Sequence, residues 1–523
     1  MKKLIMKNNV FMSLVLVALI SLSSCTDLEV EATDSQLDSI FSGIKTNEES
    51  ASTVTGAYNN LNGMIGDQAN LFALTEVTTD ELLIPTRGAD WGDNGIWRQL
   101  HQHTWSPTHQ YILNVWNAWN ELQLIGSTVL DERSVATDET KGHAAFLRAL
   151  GMYVVLDNFG QVPFRDTTAD PLADPEVLTG QAAVDFIKAD LDNAISKLPS
   201  SGPGTNNNRA TKAAAQYLLA KVLLNKHIYT GGSPDNGDMG QVVSLVDAIA
   251  SQGYGLESGY FDIFKEDVDN ETIWYIPTSV GNRIWNGLHY NNVTPEQSGG
   301  WNGFSTLAEF YDSFEGDSQS NYLGDGQEER RGWVPDASSA DASNYGIGYG
   351  FLINQQYDVN GNPLTDRSGN PLFFSREFTN NANGQPSLVD NSETTGIRVI
   401  KYHPVNGAFT EHEIFFRYSD AHLMKAEAIM RSGGNATTLV NELRTLRGAT
   451  PLGSLTEQEM LAERGRELYM EFWRRNDMIR FGEYTRAWEF KDPASVGDAS
   501  KNLFPIPASQ LILNPNLVQN PGY

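Results

Sequence analysis

The stretch RATKAAAQYLLAKVLLNKHIY, beginning at Arg209, crowds Ala213, Ala214, Ala215 and Ala220 into one apolar helical repeat. Small side chains on a helix face let an antiparallel neighbour come close, so this chain is committed to packed helices. EIFFRYSDAHLMKAEAIMRSG repeats the composition with Ala421, Ala426 and Ala428. Four further segments carry helical spacing before residue 200 or leading into it. Asn47 to Ile65 has Asn47 as its expected cap and Glu48 and Glu49 in the first turn. Pro107 to Leu130 places Ile112, Val115, Trp116 and Trp119 on one face. A third runs from Glu139 and stops at Gly160, and GQAAVDFIKADLDNAISKLP ends at Pro199. Near the end come NATTLVNELRTLRG and TEQEMLAERGRELYMEFWRRNDMIRFG.

These helices arrive in pairs joined by short loops, which suits helical hairpins of the tetratricopeptide kind. No clean period of about 34 residues can be read, so an irregular helical bundle stays open as the alternative. Gly253 to Pro404 differs, being dense in Gly, Asn, Trp and Tyr. DVNGNPL from Asp358 and DRSGNPL from Asp366 are two copies of one turn pattern, and TGIRVIKYHP alternates like a strand. The acidic ligands that a calcium loop needs at alternate positions are missing from both copies. The expected fold is therefore mainly α. A loop-rich part at about 253–404, with a few short β-hairpins, separates helical parts at about 35–250 and 405–523 within a single domain, 25–523.

Residues 1–24 read as a lipoprotein signal peptide. Lys2, Lys3 and Lys7 precede an apolar run, Val10 to Leu22, too short to span a bilayer. Leu22-Ser23-Ser24-Cys25 resembles the bacterial lipobox, and Cys25 is the only cysteine in the sequence. Lipidation at Cys25 is the expectation; an ordinary signal peptide with an incidental cysteine is the alternative. Asp27, Glu29 and Glu31 follow, resembling the surface-export signal of some outer-membrane lipoproteins. The formal net charge is −28, and removing a signal with three lysines and no acids makes it −31. Such a polyanion argues against nucleic acid or anionic lipid surfaces as partners.

Catalytic signatures are absent: no His-Glu-x-x-His, no Gly-x-Ser-x-Gly and no Walker loop. GIGYGF is not framed as a dinucleotide loop, and the adjacent residues Glu411, His412 and Glu413 cannot face one ion from a regular element. Glu463, Glu467 and Glu471 recur every four residues, and a glycosidase needs two carboxylates. Leu461, Leu468, Phe472 and Ile479 form a separate apolar stripe, and Arg466, Arg474 and Arg475 stand close to the acids. The pattern reads as a packed helix with ion pairs along its flank.

ERGRELYMEFWRRNDMIRFG and the closing LFPIPASQLILNPNLVQNPGY resemble the two C-terminal blocks of the SusD/RagB nutrient-binding lipoproteins. HAAFLRALGMYVVLDNFGQVPF and RYSDAHLMKAEAIMRSGG resemble the helical blocks of that family. HAAF departs from it, with alanine where an acidic residue is frequent, a difference expected to touch packing alone. The resemblance implies four tetratricopeptide-like hairpins with irregular loops on one face. It also implies an outer-membrane, cell-surface location and glycan capture for a TonB-dependent transporter of the SusC kind. Neither catalysis nor a cofactor or metal is implied. Pro505, Pro507, Pro515 and Pro521 forbid a continuous helix at the end, so the tail is expected to lie extended over the scaffold.

A sugar offers apolar C–H faces and hydroxyl edges, so its site needs aromatic plates beside amides, carboxylates or guanidinium groups. TTDELLIPTRGADWGDNGIWRQLHQHTW supplies Asp80, Arg87, Trp91 and Trp97, and GNRIWNGLHYNNVTPEQSGGWNGF supplies Trp285, Tyr290 and Trp301. The resemblance places ligand contacts in these two regions and adds the segment holding Arg376 and Tyr402. Trp116, Trp119, Trp473 and Trp488 are assigned to packing. A neutral, flat or gently curved chain such as a β-glucan or fructan suits several loop tryptophans. A peptide receptor and a surface glycoside hydrolase are the competing readings.

Overall fold

Helix α1 (Asn47–Gly66) begins at a capping box. The Thr46 hydroxyl accepts the Glu49 N–H at 3.1 Å, and the Glu49 carboxylate accepts the Thr46 N–H at 3.2 Å. The cap is thus Thr46, one residue before the expected Asn47, because only Thr46 has a hydroxyl three residues ahead of a glutamate. After α2 (Ile96–Gln102), four long helices and a fifth follow: α3 (Gln110–Leu130), α4 (Asp138–Phe159), α5 (Gly180–Lys197), α6 (Lys212–Thr230) and α7 (Asn236–Ala250). Each of α3 to α7 packs on the next. A Cβ on Gly151 of α4 would lie 2.7 Å from the Trp119 carbonyl of α3, so that helix pair is closer than any side chain permits. The alanines of α6 are all buried, which lets α5 and α7 flank it.

The next large partner of α7 is far along the chain. Helix α8 (Gly281–Gly287) is short, and α7 instead packs on α9 (Tyr418–Arg431). Residues 251–417 are thus an insertion between the two helices of one pair. Helices α10 (Thr437–Leu446) and α11 (Glu457–Leu468) then pack on α9, and α12 (Arg474–Arg480) packs on α11. The fold is mostly helical and tetratricopeptide-like. This computed structural model describes residues 41–170, 172–265, 267–406 and 412–523. The expected signal peptide, Cys25 and the acids Asp27, Glu29 and Glu31 lie outside the described residues, as does Glu411. Residues 42–523 form one unit.

The strands are short. β1 (Gln161–Phe164) and β2 (Glu176–Thr179) form a hairpin-like pair, and β3 (Thr272–Ile276) runs antiparallel to β10 (Glu413–Arg417) where the insertion leaves and rejoins the helices. The insertion holds one four-stranded antiparallel sheet. Its spatial order is β4 (Ser305–Thr306), β9 (Ile397–Ile400), β6 (Tyr349–Leu352), β5 (Gly332–Trp333). β7 (Asn354–Gln355) pairs with β8 (Phe373–Phe374) beyond it. The two repeated turn patterns fold alike: the carboxylates of Asp358 and Asp366 each accept two backbone N–H groups from their own loop.

The acid-rich C-terminal segment corrects the sequence reading. It is not one helix, because α11 ends at Leu468 and the backbone turns through left-handed values at Met470 (φ 61°) and Phe472 (φ 73°) before α12. Its charges are buried, not flanking. Arg417 reaches Glu271 at 2.6 Å, Glu467 and Glu471 at 2.7 Å each, and Arg330 reaches Glu463 at 2.6 Å. The partners come from the insertion and from β10, so the network ties the insertion to the scaffold. The tail includes a short helix, Ala508–Leu513, and is otherwise irregular. The Asn520 amide donates to the carbonyls of Phe159 (2.9 Å) and Phe504 (2.7 Å), laying the tail on the end of α4.

Candidate functional site

One edge of the four-stranded sheet is met by the chain that leads into α2. Leu83 and Ser305 of β4 exchange backbone hydrogen bonds at 2.8 and 2.9 Å. Four residues on, Arg87 is fully buried and satisfied by neutral oxygens. It donates to the carbonyls of Asn302 (2.9 Å), Ser392 (3.0 Å) and Thr395 (2.7 Å), and to the hydroxyls of Thr395 (2.9 Å) and Ser305 (2.8 Å). Arg398 of β9 lies beside it, with its guanidinium on the Asn302 side-chain oxygen at 2.9 and 2.8 Å. Among the described residues no carboxylate hydrogen-bonds either guanidinium. Burial pulls Arg87 down to about 9, and burial with the neighbouring Arg87 charge pulls Arg398 well below its ordinary value. These two cations cross-link the loops at 87–91, 302–305 and 392–396.

Aromatic rings sit above that cross-link. Trp91 has φ 59°, a left-handed conformation costly for a bulky residue, and its indole N–H donates to the Trp301 carbonyl at 2.8 Å. Its ring lies over Gly303, where a Cβ would come within 2.7 Å of the indole. Trp301 is fixed at its main chain: its backbone N–H donates to the Trp285 carbonyl at 2.6 Å. The Tyr290 hydroxyl donates to Asp90 at 2.7 Å. Arg367 lies 3.9 Å over the Tyr290 ring, donates to Asp90 at 2.7 Å and pairs with Glu393. Trp91, Tyr290 and Trp301 are each half-buried, the first two held through their side chains and Trp301 through its main chain.

The structure brings together Arg87, Trp91, Tyr290 and Trp301 from the expected set, and it places the other five differently. Trp97 is only 2 % exposed: its faces are taken by Trp91 at 5.9 Å and Tyr111 at 5.1 Å, and its N–H by Asp93. Trp285 is 7 % exposed within α8. Neither presents an open plate. Asp80 is buried under two guanidiniums, Arg474 at 2.8 Å and Arg486 at 2.7 Å. Burial would raise its carboxyl, but those charges override it and hold it at about 2. It lines a cleft of about 720 Å³ beside Glu309, Phe310 and Leu461, where it acts as a tie between segments. The Arg376 guanidinium is bidentate to Asp312 at 2.9 and 2.6 Å. Tyr402 is buried, and its hydroxyl accepts the Ile414 N–H at 2.9 Å. Trp116, Trp119, Trp473 and Trp488 are all buried.

The sequence reading missed Asp90, Arg367 and Glu393. Arg367 sits in the DRSGNPL turn, whose turn chemistry hid the guanidinium carried at its tip. The assembled site offers partly exposed rings beside one guanidinium and two carboxylates, a mixture that grips C–H faces and hydroxyl edges together. Burial would raise Asp90 and Glu393, but hydrogen bonds from Tyr290 and Arg367 hold Asp90 low and those from Arg367 hold Glu393 low. A general acid at neutral pH needs the opposite shift. Among the described residues no group of three His, Cys, Asp or Glu side chains could hold a metal ion.

Comparison with known proteins gives a consistent picture. The model of the SusD family matches residues 270–523, and a second model, described as starch-binding associating with outer membrane, matches residues 32–224. The starch-binding protein SusD of Bacteroides thetaiotaomicron is 28% identical over 501 residues, covering 88% of this chain and 86% of its own. A SusD-like protein of Bacteroides fragilis superposes with a TM-score of 0.66 at 19% identity, covering 93% of this chain and 98% of that one. Surface glycan-binding protein A of Bacteroides thetaiotaomicron, solved in complex with laminarihexaose, superposes with a TM-score of 0.63 at 19% identity. That match covers 91% of this chain and 100% of the other. With both halves matched by its models and a relative aligned along most of its length, the chain belongs to the SusD family.

Proposed function

We propose that this protein is a glycan-binding lipoprotein of the outer membrane, anchored through Cys25. It captures neutral oligosaccharide at the cell surface and passes it to a TonB-dependent transporter of the SusC kind. One observation carries the reading: Trp91 and Tyr290, tied by side-chain hydrogen bonds, and Trp301, tied by its main chain, are left half open beside Asp90 and Arg367. The relatives' descriptions as starch-binding and as bound to laminarihexaose support the ligand class. Stacking on the rings fixes the sugar plane, while Asp90 and Arg367 read hydroxyl positions. Arg87 positions the platform from below and does not meet the ligand. A shallow platform buries only part of its ligand, so affinity is modest until the transporter covers it.

The test is affinity electrophoresis and calorimetry of the mature chain with laminarihexaose and maltohexaose, with an assay for released reducing ends. Binding without cleavage is the expected result. Trp91→Ala with Trp301→Ala weakens it by about tenfold or more while thermal unfolding remains cooperative. Unchanged binding in that double variant would remove the platform from the mechanism, and released reducing ends would replace binding by hydrolysis.

A further inference from the structure

The opposite edge of the same sheet carries a second aromatic surface. β4, against which Arg87 is moored, and β5 are the two outer strands, with β9 and β6 between them. Three strand spacings of about 4.8 Å separate those edges by roughly 14 Å. On β5, Trp333 faces Tyr349 of β6 directly across the antiparallel pair, so both side chains leave the same face. Their rings lie 5.6 Å apart and inclined by 35°, and Phe261 extends the wall at 5.4 Å from Tyr349. His403 backs Tyr349 from behind, stacked at 4.0 Å.

These rings wall an open cleft of about 600 Å³, within the size range of small-molecule sites. Leu323 stands at its rim, 62 % exposed. Asp262, Gln327 and Glu329 supply polar groups along it. Two features separate this cleft from ordinary surface. First, its aromatic donors are unspent: among the described residues nothing accepts from the Trp333 indole N–H or the Tyr349 hydroxyl. At the platform the matching donors of Trp91 and Tyr290 are already used on Trp301 and Asp90. Second, the charged residues lining it, Asp262, Glu328 and Glu329, are all acidic. Glu328 is consumed by Arg330 and Asp262 is paired with the exposed Lys265, which leaves Glu329, among the described residues of this lining, as the unpaired exposed carboxylate.

We infer that the cleft formed by Trp333, Tyr349 and Phe261 is a second carbohydrate site. It takes a neutral pyranose chain whose C–H face lies on Trp333 and Tyr349 and whose hydroxyls meet Glu329 and the Lys265-paired Asp262. Uronate and sulfated chains are disfavoured by the unpaired Glu329 carboxylate in a lining that, among the described residues, holds no unpaired cation. The ligand class rests on the platform reading above, whereas the cleft geometry stands apart from it. Two modest sites on one rigid sheet would hold a long chain more tightly than either alone, provided the chain spans both.

The experiment is ¹⁹F NMR of the mature full chain labelled with 5-fluorotryptophan, its lines assigned through Trp333→Phe, Trp91→Phe and Trp301→Phe. Laminarihexaose, maltohexaose and, as an anionic control, a hyaluronan hexasaccharide are titrated separately. The expected result is a saturable shift of the Trp333 line with a neutral hexasaccharide, in wild type and in the Trp91→Ala, Trp301→Ala double variant, and no shift with the anionic control. Within the double variant, adding Trp333→Ala weakens the remaining retention by about tenfold. A fixed Trp333 line while the Trp91 and Trp301 lines move overturns the second site and leaves the platform standing. Movement of Trp333 alone supports the cleft and removes the platform. Silence of all three lines sinks both, and a shift with the hyaluronan hexasaccharide overturns the charge argument.

Discussion

Buried arginines are handled in two ways in this molecule, and the difference separates the seam between insertion and scaffold from the loops under the aromatic rings. Beneath α11 and α12, Arg330, Arg417 and Arg447 all meet Glu467, at 3.5, 2.7 and 2.9 Å. Burial by itself would raise that carboxyl, yet the three guanidiniums hold it far below the usual carboxylate range. Under the aromatic platform, Arg87 from the chain before α2 and Arg398 from the insertion are equally buried but rest on carbonyls, hydroxyls and an amide. Charges that neutralise each other tie the insertion to helices whose positions packing already favours. A guanidinium given only neutral oxygens fixes loops that have no packing period of their own, because five donors in one plane can hold several carbonyls at once.

The contrast breaks most visibly at Glu467. Glu467→Ala leaves three buried cations short of a partner and is expected to cost about 3–5 kcal/mol, read as a lower chemical-denaturation midpoint of the whole domain. Arg87→Met is expected to cost less, about 1–3 kcal/mol, since it orphans neutral acceptors and no charge. Its effect should also stay local: amide exchange should rise at 87–91, 302–305 and 392–396 while α3 to α7 keep their protection. Equal loss of protection in the helices would show that both kinds of arginine serve the same core.

A third arrangement lies where loop layer and scaffold meet. Glu76 and Glu81 are buried together, and Glu81 also accepts the Met470 N–H. Burial pushes Glu76 up to about 7, and burial with the Glu76 charge raises Glu81 well above its ordinary value. Folding therefore takes up protons here. That stabilisation is complete below the unfolded value of 4.5 and is lost as pH rises through about 7. Stability should fall by about 1 kcal/mol as Glu76 titrates between pH 6.5 and 8.5, and Glu81→Gln should flatten most of that slope. The buried histidines do not mimic the effect. Burial lowers His101, His143 and His403 to about 4, so their contribution is lost only as pH falls below 6.5.

The same distinction governs what could be read from the sequence. Trp116 and Trp119 belong to a helix of six turns whose apolar spacing announces burial. Trp97 and Trp285 also lie in helices, but α2 and α8 have seven residues each, too few to show a period, and the surrounding glycines and asparagines imitate open loop. What buries Trp97 is Trp91 and Tyr111, one on each flank of a chain reversal that no local pattern encodes. Arg367 reaches Asp90 across 277 residues, a pairing that a turn motif cannot disclose. The C-terminal acids were legible as ion-paired but not as buried, since their arginines come from Arg330 and Arg417, outside the segment. Helix existence, the tail and the turn pair follow from local chemistry. The platform follows from which distant loops two unpaired arginines draw together.

The smallest expected effect supplies the control for the others. Arg376 and Asp312 make a bidentate pair of good geometry, but Asp312 is 41% exposed, so water already solvates much of what the pair would gain. Arg376→Ala should therefore change stability by about 1 kcal/mol or less, and raising the salt concentration should shrink even that difference. The guanidinium also covers part of the Tyr311 ring at 5.7 Å, so Arg376→Met, which keeps most of the covering stem, separates lost packing from lost charge. If Arg376→Ala instead approached the cost of Glu467→Ala, solvent exposure would have lost its power to rank these pairs, and the division between the neutralised seam and the carbonyl-held loops would fall with it.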